Sequence, residues 1–400
     1  MCNGRETKVK STVSTQTVAR SNERGGLRVK FDFRSYTLVI ALIFIALIFG
    51  MLTEGEFLSS RNLSNLFMQM SVISILAIGM TLVIIAGHID LSVGSLVGLT
   101  GGIVAILQVW YGWGTVSVII VAIAIGAIAG LWQGWWVSYR GVPAFIVTLG
   151  GMLIFRGILI GISKGQTIAP LEESFEIIGN SYLPYVPGYV LAIISMVLLY
   201  VWTAWNRKKR QSTGLTVRTK MNDYGKVTIY SLCILVLVYM LNRYYGIPIP
   251  MLVVVLFAAI FVFITLKTPF GRYIYAIGGN IEAAALSGIN IKRVILSVFV
   301  LMGALSGVAG IILTSRLNAA AVSSGEMYEL DAIAACVIGG TSLMGGKGNI
   351  VGAIVGALIM ASIDNGMSMM NIETFWQFIV KGLILIIAVW IDISSKSQQA

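Results

Sequence analysis

Few residues in this chain have types and spacing that could do chemistry, and most of those lie inside apolar stretches. Asp90, Arg156, Asp331, Asp364 and Lys381 are charges flanked by long apolar runs, joined there by His88, Thr148, Asn365 and Gln377. Polar groups at membrane depth are costly and mark functional sites or structural pairs. Lys381 also has the reach to snorkel toward an interface. No nucleophile–histidine–acid set emerges. His88 is the single histidine, which excludes an all-histidine metal site, and Cys2, Cys233 and Cys336 contain no CxxC pair. A nucleotide site of the P-loop kind needs Gly-x-x-x-x-Gly-Lys-Ser/Thr, so that backbone amides cradle phosphates and the lysine reaches them. The nearest stretch, Gly340-Thr-Ser-Leu-Met-Gly-Gly-Lys-Gly348, has its spacing wrong by one and glycine in place of the hydroxyl residue. It reads as a tight turn. The chain is therefore expected to bind no ATP, metal or cofactor of its own.

The elements that must position these groups are membrane helices. The chain has 400 residues, 57% hydrophobic and 11% charged, against about 25% charged in an ordinary soluble domain. A large soluble helical core would need polar faces on most helices, and they are missing. Twelve apolar segments stand out, at 36–52, 64–86, 91–109, 115–138, 143–162, 187–205, 227–245, 248–266, 294–316, 331–344, 349–366 and 375–393. Backbone groups in lipid must be satisfied internally, so these are expected to be helices of an all-α polytopic membrane protein. Barrel-type alternation is absent. Gly130–Gly134 and Gly352–Gly356 are small-xxx-small pairs, suited to close helix packing within the chain or to a dimer face.

The net charge of +11 does not point to nucleic acid, because its location follows the positive-inside rule. Residues 1–34 are polar and basic and read as a disordered cytoplasmic tail. An organelle transit peptide is the alternative, disfavoured by Glu6, Glu23 and Asp32. With that tail inside, loop 206–226 (Arg207, Lys208, Lys209, Arg210, Arg218, Lys220, Lys226), loop 267–293, Arg140, Lys347 and the C-terminal tail 394–400 all fall inside. Loop 163–186, with Glu172, Glu173 and Glu176, falls outside. Both termini are thus expected in the cytoplasm, around a membrane domain over 35–393.

Two helices rich in small residues open similarly. Ile89–Asp90 precedes Ser92, Gly94, Ser95 and Gly98, and Leu330–Asp331 precedes Ala332, Ala334, Ala335 and Gly339. By the charge count they run in opposite directions, each preceded by a long span and followed by two more. This is the pattern of an inverted repeat with a pathway at its interface. Each Asp also suits a helix N-terminus as a cap.

The most informative internal loop is Thr268–Asn290. Pro269 and Gly271 end a span, Gly278 and Gly279 read as a turn, and Asn280 is placed to cap a short helix from Ile281. Glu282 suits its first turn, Ala283, Ala284 and Ala285 make it slim, and Gly288 ends it. Such a helix, held off the membrane, suits insertion into a partner's groove.

The run Glu282-Ala-Ala-x-x-x-Gly288 resembles the motif by which permeases of ABC importers contact their ATPases. Together with 79–95 (GMTLVIIAGHIDLSVGS), 143–149 (PAFIVTL) and 330–342 (LDAIAACVIGGTS), it makes residues 36–393 similar to the sugar-permease family of bacterial ABC importers. Within that family the xylose-type branch is suggested by 361–370, by Thr374-Phe-Trp-Gln377, and by an extra helix pair at about 187–246 that would turn a ten-span core into twelve. The resemblance implies a homodimeric conduit in the bacterial inner membrane, a separate ATPase carrying ATP and Mg, and a periplasmic sugar-binding protein. It implies that Arg272, Asn280, Glu282, Ala283, Ala284 and Gly288 contact the ATPase. Candidate pathway residues are His88, Asp90, Ser92, Phe145, Thr148, Asp331, Thr341, Asp364 and Asn365; hydroxyl-rich sugars suit such hydrogen-bonding groups beside Phe145 or Trp376. His88 stands where many family members have glycine, and suits either lining a pathway or packing at a helix break. The competing reading is a secondary transporter driven by an ion gradient, for which His88, Asp90, Asp331 and Asp364 are the available relay.

Overall fold

The computed structural model describes residues 33–214 and 219–397. The expected tail 1–34 therefore lies almost wholly outside the described residues, as do Arg218 and the last three residues. The chain forms α1 (Phe33–Leu52), a single 3-10 turn (Glu56–Leu58), α2 (Ser60–Ile85), α3 (Val93–Val109), α4 (Thr115–Arg140), α5 (Ala144–Ser163), α6 (Glu173–Asn180), β1 (Tyr182–Leu183), α7 (Tyr185–Ser212), α8 (Lys220–Asn242), β2 (Ile247–Pro248) and α9 (Ile249–Lys267). There follow α10 (Pro269–Gly279), α11 (Ile281–Leu286), α12 (Ile291–Leu317), α13 (Tyr328–Ile338), α14 (Ile350–Met369) and α15 (Thr374–Ser397).

All twelve apolar segments are helical. Among the described residues nine helices are long and apolar enough to cross a bilayer: α2, α4, α5, α7, α8, α9, α12, α14 and α15. The segment expected at 331–344 is not a full-length helix. α13 has 11 residues, about 16 Å of rise against a hydrocarbon core of about 30 Å. Val97 and Thr100 of α3 lie against Gly310 of α12, so α3 starts beside the middle of α12. Both short helices begin inside the bundle, where Gly94 of α3 meets Gly325, just ahead of α13.

The inverted repeat is visible in which helices touch. α12 packs along α4 as α2 packs along α14; α12 meets α3 as α2 meets α13; α3 meets α5 as α13 meets α15. The runs α2–α5 and α12–α15 thus make matching contacts, with α2 and α12 packed on each other at the centre. Of the nine long helices α2 is the most enclosed, with Ile75, Leu76, Ile78, Leu82, Ile84 and Ile85 fully buried.

The small-xxx-small pairs serve packing inside the chain. A Cβ on Gly126 would strike the Gly303 carbonyl and one on Gly130 the Phe299 carbonyl, while Gly352 and Gly356 touch Gly339 and Ala335 of α13. Glycine here lets backbones approach without intervening side chains.

The extra helix pair is an insertion with a closed neck. The chain leaves the core at β1 and returns at β2, and these strands pair antiparallel, Tyr182 with Pro248 and Leu183 with Ile247. α7 and α8 form a hairpin between them, largely exposed along both helices. Loop 163–186 contains a helix that composition did not signal. α6 buries Phe175, and the Ser315 hydroxyl, itself donating to the Phe175 carbonyl at 2.6 Å, accepts from the Gly179 amide at 2.7 Å. α15 runs through Ser397, beyond the expected end of the last span.

Candidate functional site

The expected site residues separate into three places. At one end of the bundle, α10 and α11 form an outlying unit. Asn280 caps α11: its Oδ1 accepts from the Ala283 amide at 2.9 Å. Gly288 has φ +79 and ends the turn after it, a left-handed conformation natural to glycine. Ala284 is buried, anchoring the helix, while Glu282, Ala283 and Gly288 are exposed and Leu286 is 91% exposed. The expected turn at Gly278–Gly279 is instead the end of α10, which Thr268 caps through the Gly271 amide. Arg272 lies on this helix, exposed. The unit abuts the core closely. A Cβ on Gly278 would strike the Ile85 carbonyl at the end of α2, and Gly346 donates to that same carbonyl at 2.9 Å. The Tyr275 hydroxyl donates to Gly348 O at 2.9 Å, and burial pushes that phenol up, so it stays a neutral donor. Residues 340–348 are the tight turn expected, with Gly340, Gly345 and Gly346 at positive φ. Thr341 is fully buried there, its hydroxyl without a partner among the described residues.

The second place surrounds the start of α3. Asp90 does not cap the helix directly. Its Oδ1 accepts from the Ser92 amide at 2.9 Å and the Ser92 hydroxyl at 2.7 Å, an Asx turn leading into α3. Gln133 of α4 donates to Ser92 Oγ at 2.8 Å. Thr148 is fully buried against the Ile89 carbonyl. His88 packs with its ring centroid 6.1 Å from that of Phe299. Phe145 points away, 54% exposed on α5, and lines neither cleft described below.

The third place is an ion cluster. Lys381 Nζ of α15 lies 2.9 Å from Asp331 Oδ2 of α13 and 2.8 Å from Asp364 Oδ2 of α14. Lys381 is therefore paired rather than snorkelling, and Asp331 is a buried ion partner rather than a cap. Asp331 Oδ1 and Asp364 Oδ1 are buried without a partner among the described residues. Two clefts lie along the seam between α2 and α14, and the inner one reaches Asp364 of this cluster. The outer, about 490 Å3, is lined by Arg61, Asn62, Asn65, Tyr182, Tyr244 and Met369, among others. The inner, about 200 Å3, is lined by Gln69, Arg316, Tyr328, Asp364, Ser368 and Gln377, with apolar Ile73 and Ala361. Asn62 Nδ2 donates to Asn365 Oδ1 at 2.8 Å and ties α2 to α14. Asn62, Asn65, Gln69, Gln133, Arg316 and Tyr328 are not among the candidates expected from the sequence. For the first three a signal is present as a polar 62/65/69 spacing, one face of an otherwise apolar helix. Arg156 serves the re-entrant segment ahead of α13, donating to the carbonyls of Val322 and Ser324.

Among the described residues no group of three or more potential metal ligands converges. What the arrangement offers is two clefts with hydrogen-bonding side chains in an otherwise apolar bundle, and a separate exposed helix braced against the end of α2.

The family described as "Branched-chain amino acid transport system / permease component" matches residues 62–389. The xylose transport system permease protein of Haemophilus influenzae is 50% identical over 367 residues, 92% of this chain and 98% of that protein. The protein of the same description in Escherichia coli K12 is 48% identical over 381 residues, 95% of this chain and 97% of its own length. The ribose import permease protein of Bacillus subtilis is 35% identical over 352 residues, 88% and 90% of the two chains. No solved structure matches. With its repeat of membrane helices and these relatives along nearly its whole length, the chain belongs to this family of transport-system permeases.

Proposed function

We propose that this chain is the membrane-spanning subunit of an ATP-driven importer of a pentose, D-xylose, and that a separate ATPase drives it through α10 and α11. The observation carrying this reading is α11: a capped, slim helix that stands exposed yet is braced through Gly278 against the carbonyl end of α2. A push there reaches the most buried of the long helices without an intervening flexible loop. The end bearing α11 also carries Arg140, Arg272, Lys292 and Lys347, and Lys292 Nζ lies 5.7 Å from the Tyr139 ring. The opposite end carries α6 with its glutamates. On the positive-inside rule the α11 end faces the cytoplasm, together with both termini. The working assembly is a homodimer in the inner membrane, with ATPase subunits carrying ATP and Mg and a periplasmic sugar-binding protein.

Xylose is favoured over the branched-chain amino acids of the family description for two reasons. The relatives at 48–50% identity are xylose permeases, and the clefts present hydrogen-bonding side chains such as Asn62, Asn65, Gln69 and Gln377 beside their apolar lining, as a hydroxyl-rich solute needs.

The test is uptake by the reconstituted importer with its ATPase and binding protein. Gly288→Trp and Ala283→Trp are expected to lower xylose uptake about tenfold or more, a loss of about 1.4 kcal/mol of coupling, while the chain stays folded and inserted. Unchanged ATP-dependent uptake in both variants contradicts a coupling role. Gradient-driven uptake by this chain alone, without ATP, would favour the secondary-transporter reading.

A further inference from the structure

We propose that the inner cleft on the α2–α14 seam is a binding site for one neutral polyhydroxylated solute, entered from the outer cleft and bounded on one side by Asp364, the member of the ion cluster that lines it. The inference takes the identity of the solute from the importer reading and goes beyond it in assigning a place and a set of contacts.

Position supports this first. On α2 the outer cleft is lined by Arg61 to Met68 and the inner by Gln69 and Ile73. On α14 the sequence runs from Met369 at the outer cleft to Ser368, Asp364 and Ala361 at the inner. The two clefts are thus successive steps down the same pair of helices. At about 1.5 Å per residue, Ile73 lies about 20 Å along α2 from Ser60, midway along the helix. Below that level α2 is sealed: Ile75 to Ile78 are fully buried, and Cys336 of α13 packs on Ala77, its thiol 3.3 Å from the Ala77 carbonyl. The short helix α13 brings Tyr328 to the cleft wall, and its buried Asp331 is joined through Lys381 to the lining Asp364.

Charge points the same way. Among the residues lining the inner cleft only Arg316 and Asp364 are charged, one of each sign, beside the hydrogen-bonding groups of Gln69, Tyr328, Ser368 and Gln377. An ion or a charged metabolite would leave one sign uncompensated in a low-dielectric setting. A sugar brings donors and acceptors and no charge. The Asp364 Oδ1 acceptor is buried and unpartnered among the described residues, and its partner Oδ2 is held by Lys381. Gln377 stands one helical turn before Lys381 on the same face of α15, its Nε2 donating to the Ile372 carbonyl at 2.9 Å, which leaves its Oε1 to accept.

Size limits the occupant. At about 200 Å3 the inner cleft is below the range of about 300–1,000 Å3 typical of drug-sized ligands. One monosaccharide ring suits it; a disaccharide does not.

The test separates this site from the coupling reading by measuring two quantities on the complete importer. Gln377→Leu with Gln69→Leu removes hydrogen-bonding groups and spares the ion cluster; Ser368→Trp plugs the mouth. Stimulation of ATPase activity by the xylose-loaded binding protein is expected to stay within about twofold of the parent. Xylose uptake is expected to fall about tenfold, the scale of polar groups left unpaired. Unchanged uptake in both variants overturns the site. A second measurement covers variants that insert poorly. In a Cys2→Ser, Cys233→Ser background, Ser368→Cys is expected to react with a small methanethiosulfonate in the absence of ATP, more slowly in saturating D-xylose and at an unchanged rate in L-leucine. Labelling indifferent to xylose, or slowed by leucine instead, overturns the proposal. If the parent importer shows no ATP-driven xylose uptake, the importer reading fails, and the labelling rates still report on the cleft.

Discussion

At the scale of single residues, the chemistry of this chain lies in a few polar groups that find each other across helices. Lys381 joins Asp331 and Asp364, which sit on two other helices. Removing one member of a buried ion pair leaves its partner uncompensated at a cost of about 3–5 kcal/mol, whereas removing all the charges together is often near neutral. Lys381→Met is therefore expected to lower the thermal midpoint of the detergent-solubilised permease clearly. The triple variant Lys381→Met, Asp331→Asn, Asp364→Asn is expected to recover much of that loss in the same melting assay. The sequence marks each of these charges as unusual, because each interrupts an apolar run. It does not pair them: Asp331 and Lys381 are 50 positions apart, and only the folding of α13, α14 and α15 around one point makes them neighbours. The same limit explains why Arg316 and Tyr328 escape a reading by spacing, since each looks like an ordinary residue near a helix end.

At the scale of elements, capping and close approach decide what forms. The Asn280 cap of α11 is legible because an Asn before a short alanine-rich run is a local signal, complete within four residues. Asn280→Ala is expected to cost about 1 kcal/mol of local helix stability, read as faster amide exchange over Ala283–Leu286. The end of α10 is less legible: Gly278–Gly279 has the composition of a turn, but contact with the end of α2 holds it in helix. Tertiary packing also fixes the role of the glycines. Gly126 and Gly303 face one another across α4 and α12, so Gly303→Val must push two backbones apart. Overpacking of this kind costs about 1–3 kcal/mol, and we expect a lower melting temperature, with partial recovery at most from compensating changes on α4. The α7–α8 hairpin leaves and rejoins the core through the β1–β2 neck, a pairing of two-residue strands too short for any sequence pattern to signal. A variant that replaces residues 185–245 by a short turn should still insert and keep the core, with reduced thermal stability because Val238 and Leu241 no longer bury against their neighbours. Failure to insert would mean that the hairpin is needed for folding of the core.

At the scale of the whole molecule, two four-helix runs of opposed direction share one interior, and the short helices α3 and α13 begin within it. The hydropathy pattern carries this architecture well, because span length, basic loops and small-residue runs are properties of contiguous sequence. It does not carry the shortness of α13, whose apolar run continues into the 340–348 turn, nor the seam of clefts between α2 and α14, which exists only when distant helices are packed. In the proposed function a pentose crosses this interior while an outside engine, acting at α11, opens the sealed lower half of α2. The most direct check is xylose uptake into vesicles holding this chain together with its ATPase and binding protein. Uptake is expected to require ATP and to fall about tenfold or more in Gly288→Trp. Uptake that proceeds without ATP, or that survives Gly288→Trp unchanged, would contradict an importer driven through α11.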